Sequence, residues 1–249
     1  MKSPASRLVL WDVDHTLIIA GDFHALLYRD AFRSCFGREP DHLIKMSGRT
    51  DVDSMTRTLR LNGIEPTEER RLEFSEALVA AMETKRDHLR QHGRQAKGAA
   101  QALRALRDVP GVVQSAVTGN LKPLAAAKLA TLGLGGYLDF DVGGFGGDHE
   151  ERWELVRAAR QRARAKYGVS FDEANTVLIG DTPFDIRAGQ LGGATVVAVG
   201  TGSSSAAELE ALGADRVLMD LGDTETVVRS VLETAPCPRS EAAAGHPTR

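Results

Sequence analysis

Short apolar runs rich in β-branched residues recur along the chain at positions 8–11, 112–117, 176–179, 195–199 and 216–219, each closed by small or acidic residues. Helix-length segments rich in Ala, Leu and Arg separate them at 122–132, 151–166 and 185–191. Strands that alternate with helices return to the same edge by crossovers, so the pattern predicts βαβ units and a parallel sheet buried on both faces. One block departs from it. From residue 21 to about 95, helical patterns such as "EERRLEFSEALVAAMETKRDHLRQH" follow one another without a convincing strand. That predicts a helical subdomain inserted after the first strand, with the polar, glycine-containing "QHGRQAKGAA" as its return linker. The expected division is 1–18 and 96–235 for an α/β core, 19–95 for the insertion and 236–249 for a Pro/Ala-rich disordered tail.

A chain of 249 residues, 42% hydrophobic and 26% charged, is long enough to bury a sizeable core. A formal net charge of -3 gives no basic footprint, so no nucleic-acid partner is expected. No window approaches the length of a membrane span, and "MKSPASR" is too short and polar for a signal peptide, so a cytoplasmic location without membrane contact is expected. Cys35 and Cys237 fit no metal spacing and no disulfide framework, and both read as incidental thiols.

The ends of the strands carry the chemistry. The first run stops at Asp12, Val13, Asp14, His15 and Thr16, the second at Thr118, Gly119 and Asn120, and the third at "GDTPFD", residues 180–185. Ligands of an open parallel sheet bind beyond the carboxyl ends of its strands, so Asp12, Asp14, Thr118, Asp181 and Asp185 should gather at one edge. Carboxylates crowded into so small a volume need a cation, and oxygen-only ligands suit Mg²⁺. Each residue alone has a plainer reading. An aspartate at a strand end is usually a turn former or helix cap, Thr118 could begin a turn, and Asp185 could cap the helix that follows.

Taken in order, "DVDHT", "VTGN" and "GDTPFD", with a helical insertion between the first two, resemble the haloacid dehalogenase-like (HAD) hydrolase superfamily, in its C1-cap, phosphoglycolate phosphatase-like branch. The resemblance spans roughly residues 5–235. It implies an α/β fold, a Rossmann-like doubly wound parallel sheet core with an inserted all-helical cap. It also implies a Mg²⁺-dependent phosphatase acting on a small phosphomonoester, as a monomer or homodimer. Asp12 would be the nucleophile and Asp14 the general acid and base. Thr118, Gly119 and Asn120 would hold the phosphoryl group, and Asp12, the Asp14 carbonyl, Asp181 and Asp185 would hold the metal. Arg49, in the cap segment "MSGRTDVDSM", would meet a second anionic group of the substrate.

Two departures from the family pattern matter. His15 replaces a glycine, and is expected to be structural or to face the cap. No lysine lies between Lys128 and Lys166, where the family supplies its active-site cation. Arg152 is the first candidate, expected to reach both Asp12 and Asp181 and to bind phosphate; Lys122 is the second. Lys128, two to three turns into its helix, is expected to lie too far away. Among other readings, a sugar phosphomutase uses the same residues, whereas a dehalogenase or phosphonate hydrolase has no need of Asp14. A receiver-like signalling module lacks so large an insertion, and an idle binding protein would lose the nucleophile or the acid.

Overall fold

The computed structural model describes residues 7–234. Residues 1–6 and 235–249, among them Cys237 and the expected tail, lie outside the described residues. The chain begins with β1 (Arg7–Trp11) and a two-residue β2 (Ile18–Ile19), then runs through α1 (Phe23–Phe36), α2 (Asp51–Leu61), α3 (Glu68–Thr84) and α4 (Arg86–His92). A second two-residue strand, β3 (Arg94–Gln95), leads to α5 (Ala99–Arg107), β4 (Val112–Thr118), α6 (Lys122–Thr131) and β5 (Gly144–Phe145). The rest is α7 (Arg152–Tyr167), β6 (Thr176–Gly180), α8 (Pro183–Gly192), β7 (Thr195–Val199), α9 (Ala206–Ala211), β8 (Arg216–Leu218) and α10 (Thr224–Glu233).

Six strands form one parallel sheet in the order β5-β4-β1-β6-β7-β8, a Rossmann-like α/β arrangement. Its two faces separate along each strand, as a two-residue repeat requires. Val9 and Trp11 of β1 join Leu103 of α5, Leu129 of α6 and Val231 of α10 in one cluster. Leu8 and Leu10 turn the other way, against Leu155 and Ala159 of α7 and Ala188 of α8. With helices on both sides, a strand has no solvated face, which is why these strands read as unbroken apolar runs.

The strand order explains the location of the site. From β1 the chain winds outward through β4 to β5, then returns to the other side of β1 for β6, β7 and β8. The winding reverses at β1, so the crossover helices on either side diverge there and leave a crevice at the carboxyl ends of β4, β1 and β6.

Helices α1 to α3 build a second core around Phe23, Tyr28, Phe32, Phe74 and Leu78, which also takes in Leu121 and Leu124 at the start of α6. The return segment, expected to be a simple linker, forms β3 and pairs antiparallel with β2, with Ile18 opposite Gln95. Two-residue strands carry too little periodicity to be read from sequence. No helix among the described residues is long and apolar enough to cross a membrane.

Just after this crossing, Gly98 begins α5 at φ +79, and a Cβ there would lie 1.8 Å from the Leu221 carbonyl oxygen. Gly63 has a similar φ of +72 but open space around it. Gly63→Ala should therefore cost only the left-handed conformation, about 1 kcal/mol. Gly98→Ala should cost roughly 1–3 kcal/mol more from overpacking. Chemical denaturation of both variants measures the difference, and equal costs would show that the start of α5 is not pinned against Leu221.

Candidate active site

The crevice holds a cavity of about 310 Å³ lined by Asp12, Asp14, Thr118, Arg152 and Asp181 from the sheet side and by Arg49 from the insertion. Asp12 follows β1 directly, and its N–H donates to the Ile179 carbonyl at 2.8 Å, so sheet pairing extends one residue into the site. Asp181 follows β6 in the same way. Asp185 belongs to the first turn of α8, where Thr182 is the N-cap and Asp185 completes a reciprocal capping box. The expectation that Asp185 could itself be the cap is thus off by one role, because the Thr182 hydroxyl accepts from the Asp185 N–H. The box fixes Asp185 Oδ2 on Thr182 and turns Oδ1 inward.

Arg152, at the start of α7, is 7% exposed and spends its fork on two carboxylates. Nη2 lies 2.6 Å from Asp12 Oδ1 and 2.6 Å from Asp185 Oδ1, and Nε donates to Asp185 Oδ1 at 3.0 Å. The expected partner pair was Asp12 and Asp181; the observed pair is Asp12 and Asp185, because the capping box leaves Asp185 Oδ1 pointing at α7. Burial opposes the guanidinium's charge, but Asp185 and Asp12 outweigh it and hold the group firmly protonated. Lys122 is at the surface, 3.3 Å from Asp141.

Asp12, Asp181 and Asp185 each present an oxygen within 4.8 Å of the others, and all three are buried. Burial and mutual repulsion push Asp12 and Asp181 well above the usual carboxylate range. One guanidinium does not balance three such groups, and an all-oxygen set in a polar cleft is the donor chemistry of a hard dication, so the residues fit Mg²⁺. Thr16 fixes this arrangement by donating to Asp181 Oδ1 at 3.1 Å. His15 has φ 65 and gives the Thr201 hydroxyl its carbonyl at 2.5 Å, tying the loop after β7 to the loop after β1.

The Asp14 carboxylate stands outside the acidic cluster, 31% exposed, and has its own partners. Lys128 Nζ lies 2.8 Å and 3.0 Å from its two oxygens, and Asn120 Nδ2 donates to Oδ2 at 2.7 Å. Burial would raise this carboxyl's pKa, but the Lys128 ammonium and these hydrogen bonds hold it well below the usual range. The expectation that Lys128 is too distant is therefore overturned. Its backbone is roughly 9 Å along α6, but side chains lean toward a helix's N-terminus and the lysine stem covers the remainder. Leu121 is the N-cap of α6, and Asn120, expected to hold phosphate, also donates to Thr118 Oγ1 at 2.8 Å. As an acceptor there, the Thr118 hydroxyl keeps its own proton for a ligand in the cavity.

The insertion is fastened directly onto these loops. Asp51 N–H donates to the Gly119 carbonyl at 2.7 Å, Val52 N–H to the Gly146 carbonyl at 3.0 Å, and the Thr50 hydroxyl to the Glu150 carbonyl at 3.0 Å. A Cβ on Gly119 would lie 1.8 Å from the Arg49 carbonyl oxygen, so only glycine permits this approach. Of the segment at residues 46–55, residues from Asp51 onward are the first turns of α2. Arg49 lines the cavity, but its Nη1 is 2.8 Å from Asp53 and its guanidinium lies over the Phe184 ring. His24 and Asp51, which no motif singles out, also face the cavity.

A family model described as haloacid dehalogenase-like hydrolase matches residues 9–190. No curated protein matches the chain. Among solved structures, a beta-phosphoglucomutase candidate from Bacteroides vulgatus is 20% identical, with 93% of this chain and 92% of that one covered and a TM-score of 0.65. A predicted phosphatase from Clostridium acetobutylicum is 16% identical, covering 90% and 99%, with a TM-score of 0.64. A predicted phosphoglycolate phosphatase from Haemophilus somnus 129pt is 16% identical, covering 89% and 97%, with a TM-score of 0.61. At these identities the likeness is one of fold. With the family model spanning most of the sheet and all three strand-end motifs, the chain belongs to the haloacid dehalogenase-like hydrolase family.

Proposed function

We propose that this protein is a phosphatase that hydrolyses a small phosphomonoester through an aspartyl-phosphate on Asp12. The observation that carries this reading is the Asp12 carboxylate, which borders the cavity where the acidic cluster and the Arg152 fork meet. In the first step Asp12 attacks phosphorus, the P–O ester bond breaks, and Asp14 passes a proton to the departing alkoxide. Because Lys128 keeps the resting Asp14 ionised, that proton enters with the substrate monoanion. In the second step the Asp14 carboxylate takes a proton from the water that attacks the acyl phosphate. Thr118 and the adjacent N–H groups orient the phosphoryl oxygens, and Arg152 offsets the repulsion between Asp12 and an incoming anion. Asp12 and Asp181, supported by Asp185, would hold Mg²⁺, which when bound supplies charge neutralisation for the phosphoryl group. The insertion serves as the cap, with Arg49 available to a second anionic group. A panel of small phosphate esters with and without Mg²⁺ tests the reading; release of inorganic phosphate from none of them would end it.

Asp12→Asn, nearly isosteric but a poor nucleophile, should leave no more than a few per cent of wild-type turnover with the fold unchanged by circular dichroism. Arg152→Ala should lower kcat/KM by about two to three orders of magnitude, and Arg152→Lys should recover only part of the loss. Lys122→Ala is the control and should cost far less.

The raised pKa values of Asp12 and Asp181 also fix a pH dependence. An unfolded aspartate releases its proton near pH 3.9, whereas these two retain theirs to higher pH in the folded, metal-free protein. The folded state then binds more protons, so its stability falls as pH rises through that window. A dication in the cluster removes the penalty and displaces the protons. The gain in Tm from added Mg²⁺ should be small at about pH 5 and grow toward about pH 8. A gain independent of pH, or one retained by Asp181→Asn, would separate the metal from this cluster.

A further inference from the structure

The buried ammonium that keeps Asp14 ionised also reaches from the core to the helical insertion. Lys128 is 0% exposed, yet its helix is otherwise an Ala/Leu segment packed between the sheet and the cap. Its hydrogen bonds account for all its donors: the Asp14 carboxylate at 2.8 Å and 3.0 Å, Asn120 Oδ1 at 2.7 Å and His24 Nδ1 at 3.1 Å. An ammonium cannot accept, so His24 Nδ1 is the acceptor and the ring proton sits on Nε2. Nε2 is 2.9 Å from Asp51 Oδ1. Asp51, 2% exposed, is completed by the Tyr28 hydroxyl at 2.9 Å and, on its other oxygen, by the Leu121 N–H at 2.7 Å.

The path is therefore closed. It runs from Asp14 on the core through Lys128 on α6 to His24 on α1 and Asp51 on α2, and back to the core at the first residue of the α6 cap. Every polar atom along it has a partner, which is the condition under which a buried polar network defines one geometry. Asp14 must present one oxygen to the ester leaving group and later to a water molecule, and an error of about 1 Å in such a group costs on the order of a hundredfold in rate. We propose that Lys128 is the positioning residue for Asp14, and that His24 and Asp51 make this positioning depend on the cap being seated on the core. Neither His24 nor Asp51 needs to touch the substrate for this. The inference rests on the phosphatase reading for its consequence in catalysis, but not for its geometry.

The kinetic test is a double-mutant cycle of Lys128→Met and Asp14→Asn on an ester that the wild type hydrolyses. Lys128→Met should lower kcat by about a hundredfold with KM within a few-fold, and should cost almost nothing further in the Asp14→Asn background. His24→Ala, on a side chain only 19% exposed but at the cavity wall, should lower kcat by about tenfold with the same non-additivity. It replaces Lys128→Met should that variant fail to fold. Losses that add to that of Asp14→Asn, or that appear in KM alone, would overturn the assignment. Crystal structures of wild type and variant without substrate give a readout independent of activity. The Asp14 carboxylate should leave its position in the variant, and an Asp14 unmoved would refute the inference. Should no ester be turned over, the phosphatase reading fails while these structures still decide the role of Lys128.

Discussion

Three carboxylates within 4.8 Å of one another, all buried at the end of a parallel sheet, are the constraint around which the rest of this protein is arranged. Left alone they repel by several kcal/mol at low dielectric. The fold answers with the Arg152 guanidinium between Asp12 and Asp185, delivered by the first residue of α7. It also answers with neutral donors, Thr16 to Asp181 and Thr182 to Asp185, that orient the oxygens without cancelling their charge. Burial and repulsion still oppose full ionisation of the cluster, a penalty that a dication would remove. Even the loop after β7 is shaped by the cluster, since a Cβ on Gly202 would lie 1.9 Å from Asp181 Oδ2.

Two aspartates separated only by Val13 end up in opposite electrostatic settings. Asp12 is pushed up by burial and by its acidic neighbours, and Asp14 is held down by Lys128. Alternation along an extended backbone turns Val13 into the core and leaves both aspartates on the crevice side, so their different surroundings come from what each one faces there. Environments that drive paired carboxyl groups apart in pKa are how one site assigns them different roles. In this protein the division is made by burial and the neighbouring Asp185 at Asp12, which outweigh Arg152 of α7, and by Lys128 of α6 at Asp14. The α6 cation is also the one tied to the helical insertion, through His24.

The strands of the core and the gathering of Asp12, Asp14, Thr118 and Asp181 are legible in the sequence because buried parallel strands are apolar runs and their carboxyl ends face one crevice. Arg152 is legible by elimination, because its loop contains no lysine. Its second partner is not, since the choice between Asp181 and Asp185 depends on a capping box that turns one side chain inward. Lys128 escapes because counting helical rise ignores the reach of a lysine stem directed back toward the helix N-terminus. His24 and Asp51 escape for a different reason. They are ordinary polar residues of a helical insertion, and only the docking of α1 and α2 on the core brings them to Lys128. The two-residue strands at the two ends of the helical insertion leave no periodic trace at all.

The measurement that bears most directly on the account is chemical trapping of the covalent intermediate. Incubation with a turned-over phosphate ester and Mg²⁺, followed by an acid quench, borohydride reduction and peptide mass spectrometry, converts an aspartyl-phosphate to homoserine. The account predicts homoserine at position 12 and at no other aspartate of the site. Absence of homoserine under turnover, or its appearance at position 14 or 181, would contradict it.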